Sequence, residues 1–215
     1  MRHLETVYNE KWFYEKPWLL LATGPSLDNF DYEKYKDHNI IAVYNAGDEA
    51  VTGHVDIHLC SDEWTKAWQN EDGSYQVEFY RPEHDGSIIC KRGNARYVAT
   101  RICNRNFAGA IDNMIYFPYT VDVNYMGLQA YLEAFKHSGS ERIYPTSNTS
   151  SFAVMFLGFA GIKELKICGI DGGVGTSSKV DPFYRKVSDQ NFDIENYGVY
   201  GHAENFGINL VRIVD

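Results

Sequence analysis

The sequence predicts an α/β chain: a Rossmann-like, mostly parallel sheet with helices on both faces and an irregular middle insertion. Three observations carry that expectation. Short apolar runs recur along the chain, and each ends in small or polar residues. Helix-compatible segments lie between the later runs, which is the alternation of a parallel sheet. The 215 residues suit one domain, 1–215, large enough to bury a core without staples. The stretch 70–120 reads as an insertion or lid within it.

The elements follow in order. Residues 1–16 are polar and aromatic and read as an irregular lead-in. Trp18 to Ala22 is a short apolar run, as in a buried parallel strand. It ends at Thr23-Gly24-Pro25-Ser26, where a proline suits a first helical position because its missing N–H would be unbonded there. Asn39 to Tyr44 and Val55 to Cys60 are the second and third strands, followed by Asn45 and by Ser61-Asp62. Within 70–120, "SYQVEFYR" and "SIICKR" pair as a hairpin around "PEHDG". Val123 to His137 has a helical pattern. A further helix runs from Thr149 to about Ala160, and Gly161 is its natural stop. Lys163 to Gly169 is a strand with Ile170-Asp171 at its tip, and the loop "DGGVGTSSK" follows. Tyr197 to Asn205 reads as loop, and Ile208 to Val214 as the last strand.

Charge and composition narrow the partners. The formal net charge is −9, which repels a polyanion at long range and argues against nucleic acid. The richest basic stretch, Lys91 to Arg105, suits a solvated face as well as an anion site. Aromatic residues reach 15%, which fits an aromatic core or a platform for a base or sugar ring. Cys60, Cys90, Cys103 and Cys168 show no zinc-like spacing and read as reduced thiols of a cytoplasmic protein. No secretory signal opens the chain, and Phe152 to Ile162 is too short for a transmembrane segment. A cytoplasmic location is expected, with peripheral contact at the inner membrane left open.

Ligands of open α/β sheets bind outside the carboxyl ends of the strands. That rule selects Thr23 to Ser26, Asn45, Ser61-Asp62 and Asp171 to Lys179. Gly24 allows close backbone approach, and free N–H groups at a helix start suit a phosphate. The turn is neither a P-loop nor GxGxxG, and a plain tight turn explains it equally. Asn45 suits a base or ribose, or an ordinary turn. Asp62 suits a ribose or a metal, or an N-cap for a helix over "EWTKAW". Asp171 suits the same contacts, or simply organises its turn. His202, in "YGVYGHAEN", has the chemistry of a general base on a mobile loop, and an ordinary surface or structural histidine explains it as well. The other histidines form no HxH or HExxH cluster, so no metal site is expected.

Taken in order, "LLLATGPSLDNFDYEKY", "IIAVYN", "GIKELKICGID" and "YGH" resemble the bacterial sialyltransferases that use CMP-activated nonulosonic acids. The front half is similar to the motility-associated flagellin glycosyltransferases and the 6-hydroxymethylpterin diphosphokinases. The resemblance covers about 18–62 and 143–205. It implies that Thr23, Gly24, Pro25 and Ser26 form a nucleotide-binding turn, and that Asn45, Ser61, Thr149 and Ser150 contact the nucleotide. Asp62 matches the flagellin and pterin group. The resemblance implies that His202 is the catalytic base of an inverting, metal-independent transfer. The donor is then a nucleotide sugar, with CMP the expected nucleotide, and the acceptor is a glycan or other hydroxyl. No further cofactor is required. Where the sialyltransferases hold the leaving phosphate with two tyrosines, this chain has Gly173 and, near the second, Lys179. Self-association into a homo-oligomer is common among such compact members. Two alternatives stand beside this reading: a Mg-dependent diphosphokinase using Asp62 and Asp171, and a nucleotide-binding protein without catalysis.

Overall fold

The computed structural model describes residues 4–49, 51–60, 65–72, 74–80, 87–92, 95–101, 114–117, 149–171, 175–180 and 193–213. Within them the strands are β1 (Trp18–Leu21), β2 (Asn39–Val43), β3 (Val55–Cys60), β4 (Thr65–Gln69) and β5 (Tyr75–Tyr80). They continue as β6 (Ser87–Arg92), β7 (Ala95–Arg101), β8 (Met114–Phe117), β9 (Glu164–Cys168) and β10 (Asn209–Arg212). The α-helices are α1 (Thr149–Phe159) and α2 (Asp193–Phe206).

The first apolar run becomes an interior strand of the main sheet, between β9 and β2. Seven strands lie in the order β10-β9-β1-β2-β3-β7-β8, and every pairing is parallel. The chain is therefore an α/β, Rossmann-like protein. β1, β2 and β3 are buried along their whole length, as expected for continuous apolar runs in a sheet covered on both sides. Alternate residues feed two cores. Trp18, Leu20, Ile41, Val43, Ile57 and Leu59 face one side, and Leu19, Leu21, Ile40, Ala42 and Cys60 the other.

The first side carries both described α-helices and the lead-in. α1 is buried from Ser151 to Gly158, as befits a helix that is apolar all round. It lies between the sheet, α2 and the lead-in, where Phe13 and Tyr8 meet Phe156 at ring centroid distances of 5.8 and 5.9 Å. Gly161, at φ +85°, ends its last turn, as the sequence leads one to expect. The second side is covered by short 3-10 helices at Pro25–Asn29, Tyr32–Lys34 and Tyr44–Gly47, and Leu27, Ala46 and the flanking Phe30 pack into its core.

Between β3 and β7 the chain forms a separate antiparallel sheet, β4-β5-β6. Its β5–β6 pair is the hairpin read from the sequence. β7 and β8, which fall inside 70–120, are strands of the main sheet. Two sequence expectations change. The helix over "EWTKAW" is replaced by β4, so an N-cap for it has no helix to cap. The loop over Tyr197–Asn205 is replaced by α2. The helix expected over Val123–His137 lies outside the described residues. Of the basic stretch, Arg96 serves the fold: its guanidinium stacks 4.0 Å over the Trp12 ring, and its Nε lies 3.5 Å from Oδ1 of the buried Asp56.

Candidate functional site

The strand order fixes where a crevice should open. From β1 the chain builds outward through β2, β3, β7 and β8, then returns to the other side of β1 for β9 and β10. The switch point lies between the carboxyl ends of β1 and β9.

The two turns there close on each other. The Gly24 N–H donates to the Gly169 carbonyl at 2.8 Å. The Ser26 N–H donates to Asp171 Oδ2 at 2.7 Å. In return, the Gly169 N–H donates to Ser26 Oγ at 2.8 Å. Leu27 N–H binds the Gly24 carbonyl at 3.1 Å, and Pro25 has no N–H. From Gly24 to Leu27, then, each backbone donor already has a protein partner. The small residues serve this approach: a Cβ on Gly24 would sit 2.6 Å from the Gly169 oxygen and 2.7 Å from Asp171 Oδ2. Gly169, at φ +77°, has no room for a side chain against the Ala22 carbonyl. A phosphate on the first turn needs free N–H groups, and the Asp171 carboxylate holds the position an anion would take.

A strap over residues 175–180 covers the same turn. Ser177 N–H donates to the Thr23 carbonyl at 2.8 Å. The buried Ser177 hydroxyl, the Ser178 N–H and the Ser178 hydroxyl donate to Asp28 Oδ1 at 2.6, 2.6 and 2.9 Å. Burial pushes the Asp28 carboxyl upward, but its hydrogen bonds from Ser177, Ser178 and Lys179 outweigh this and hold its pKa below the usual value. The Lys179 ammonium donates to the Phe30 carbonyl at 2.8 Å. This lysine, expected beside a leaving phosphate, anchors the strap to the second side of the sheet.

A second cluster forms at the end of β2. Tyr44 has φ +47°, a left-handed conformation that costs a bulky residue roughly 1–2 kcal/mol. Its carbonyl lies 2.7 Å from His58 Nε2, which must carry the proton because a carbonyl only accepts. Its phenol oxygen accepts the Thr149 hydroxyl at 2.8 Å. The turn thus straddles the strand end, its backbone held on one side of the sheet and its ring on the other. Next to it, Asn45 is 2% exposed, and its Oδ1 has no hydrogen-bond partner among the described residues. Thr149 is the first described residue of α1, and its hydroxyl ties that end of the helix to the Tyr44 phenol. β6 lies against the same turn.

His202 stands elsewhere. It lies near the C-terminal end of α2, 2% exposed, with Nδ1 unpartnered among the described residues. Burial lowers its pKa to about 4. α1 and α2 are tied at Gly198, where an added Cβ would meet Ser151 Oγ at 2.5 Å, and at Gly158 beside Phe206. His202 is four residues past Gly198, about 6 Å deeper along the helix than the Ser151 contact. A base on a mobile loop needs solvent and reach. This imidazole is buried and sits within a helix.

Of the residues selected from sequence, the fold joins Thr23, Gly24, Pro25, Ser26 and Asp171 in the closed switch point. It brings Asn45 and Thr149 together through Tyr44, with the half-buried Ser150 beside them. Ser61 and Asp62 lie outside the described residues. Tyr44, His58 and Asp28 were not singled out. A lone histidine inside an apolar strand run carries no spacing signal, and nothing in a sequence announces a positive φ at tyrosine. Among the described residues no group of three or more His, Cys, Asp or Glu is placed to hold a metal ion, and no helix is long and apolar enough to cross a membrane.

No protein-family model matches the chain, and no curated protein does. Among solved structures, the sialyltransferase CST-II in complex with trisaccharide acceptor and CMP aligns over 92% of this chain and 81% of its own, at 13% identity and a TM-score of 0.46. At that distance the likeness carries no conclusion about ligand or activity.

Proposed function

We propose that the protein binds a nucleotide-activated sugar over the carboxyl ends of β1 and β2 and transfers the sugar to a hydroxyl acceptor without a metal. The observation that carries this is the buried, unpartnered Oδ1 of Asn45, in a turn held in an unfavourable conformation at the sheet's ligand-binding edge. A buried acceptor without a partner calls for a donor, and an amino or imino group of a base is one. The first N–H groups of α1, at Thr149 and Ser150, take the phosphate that the closed first turn does not. CMP is the nucleotide named by the ordered motifs. The tips of β2 and β9 are two strand spacings apart, about 10 Å, which suits a sugar lying toward Asp171. That carboxylate keeps one oxygen on the Ser26 N–H, and its other oxygen is the base we assign in place of His202. Thr23, Gly24, Pro25 and Ser26 then support the site by holding Asp171, and Lys179 by holding the strap.

A second reading, nucleotide binding without transfer, is favoured by one observation: the histidine expected as base on a mobile loop is buried within a helix. A thermal-shift panel of CMP, CDP, UDP, GDP, ATP and CMP-sugars, with and without Mg²⁺, tests the binding step. Stabilisation by the cytidine compounds without metal is expected. Asn45→Ala should weaken that binding by about tenfold. Asp171→Asn should retain binding and lower transfer by roughly 100-fold or more. Binding by the unaltered protein with no transfer across a donor panel supports the second reading. Stabilisation by ATP only, and only with Mg²⁺, refutes the sugar-transfer reading and favours the diphosphokinase.

A further inference from the structure

We infer that His58 is a positioning residue for the ligand, holding the Tyr44–Asn45 turn in the geometry that presents the Asn45 side chain; the inference rests on the site proposed above. His58 stands in the middle of β3, opposite Ala42 of β2, and is fully buried. Its neighbours Ile57 and Leu59 face the α1 side, so its imidazole lies on the other side of the sheet, beneath the turn that leaves β2. Two contacts join it to that turn. Nε2–H donates to the Tyr44 carbonyl at 2.7 Å. The ring also lies so close to Gly47 that a Cβ there would stand 2.6 Å from both Cδ2 and Nε2. The imidazole therefore braces the turn at its first and last residues, with Asn45 between them.

The brace meets a need visible in the backbone. A tyrosine at φ +47° persists only where its surroundings over-determine it. The Thr149 hydroxyl fixes the phenol end, but a side-chain contact leaves the peptide plane free to rotate. The His58 bond fixes that plane, and the plane sets the direction in which the next residue leaves the strand. A histidine kept only to fill space would be replaceable by an apolar ring. One kept for this purpose is replaceable only by a donor at the same position.

The test compares His58→Phe, which keeps the ring volume and loses the donor, with His58→Gln, whose amide nitrogen reproduces it. The probe is CMP, titrated by calorimetry into the full chain. The expected result is that His58→Phe weakens CMP binding about tenfold or more, while His58→Gln stays within about threefold of the unaltered protein. Equal affinity in His58→Phe overturns the inference, and so does an equal loss in both variants, which marks a purely structural role. A readout without ligand accompanies these. Nitrogen-15 spectra should show His58 with its proton on Nε2 and slow to exchange. Amide exchange at Asn45 and Ala46 should rise in His58→Phe and not in His58→Gln. A proton on Nδ1, or unchanged exchange in His58→Phe, overturns the brace even if CMP binds. Failure of CMP to bind the unaltered protein overturns the proposed site and the ligand role of His58 with it, and is distinct from either result.

Discussion

Single residues decide what this chain can do near neutral pH, and His202 has the largest consequence. Its imidazole is neutral in the folded protein, with a pKa of about 4 set by burial, against roughly 6.5 for a histidine in an unfolded chain. The unfolded state therefore takes up a proton that the folded state refuses. Stability from this residue is fully present above about pH 6.5 and is lost as pH falls from there toward 4, by about 3 kcal/mol in all. Urea unfolding between pH 7.5 and 4.5 checks it: the unaltered protein should lose stability across that window, and His202→Leu should lose markedly less. A parallel decline in both would assign the acid sensitivity to other groups. The same residue shows where sequence reading stops. A histidine among Gly and Tyr looks like a loop base, and only the position of the helix under it shows an imidazole without solvent. Gly24 gives the same lesson. A glycine signals that something comes close; here Gly169 and Asp171 come close, from the far end of the chain.

At the scale of elements, strands were legible and α2 was not. β1, β2 and β3 appear in the sequence as apolar runs because a parallel sheet covered on both sides leaves few positions for polar residues. α1 was legible for a related reason, since an apolar segment between Thr149 and Gly161 has length, start and stop. α2 reads "DIENYGVYGHAENF", and each of its two glycines costs a helix roughly 1 kcal/mol against alanine. Contact with α1 supplies the reason: Gly198 meets Ser151, and on the facing helix Gly158 meets Phe206. Close helix packing outweighs the local preference. It follows that Gly158→Ala, which would improve the propensity of α1, should destabilise the protein by about 1–3 kcal/mol because the new methyl runs into the Phe206 ring. A lower melting temperature checks this, and a second change, Phe206→Leu, should recover part of it. A rise in stability from Gly158→Ala alone would mean that the two helices are not held as close as described.

For the molecule as a whole, the lead-in belongs to the core. Val7 and Phe13 are fully buried. The Phe13 carbonyl accepts the Trp18 indole N–H at 2.9 Å and the Asn39 amide at 3.2 Å, which ties the lead-in to the first two strands. Glu10 accepts the Trp12 indole at 2.6 Å and the Tyr97 phenol at 2.8 Å, extending the tie to β7. Phe13→Ala should therefore cost about 3–5 kcal/mol, as in a fully enclosed core, and chemical denaturation would measure it. A loss below about 1 kcal/mol would mark the segment as peripheral. The sequence did not show this, because aromatic residues among charges have no period that separates a packed lead-in from a solvated one. The main sheet was legible as a set of strands. Its order was not, since no local pattern states that β9 lies beside β1.

That adjacency has a consequence for how the chain is made. Trp18 pairs with Leu165, and Leu21 with Cys168. During synthesis the apolar "WLLL" is followed closely by β2, but its second neighbour is written much later in the message. Until then one margin of this interior strand stands open, a template for pairing with another nascent chain. Low contact locality slows such folding and lengthens exposure to aggregation, so production in cells should respond to chaperone supply and growth temperature more than the finished protein's stability would suggest.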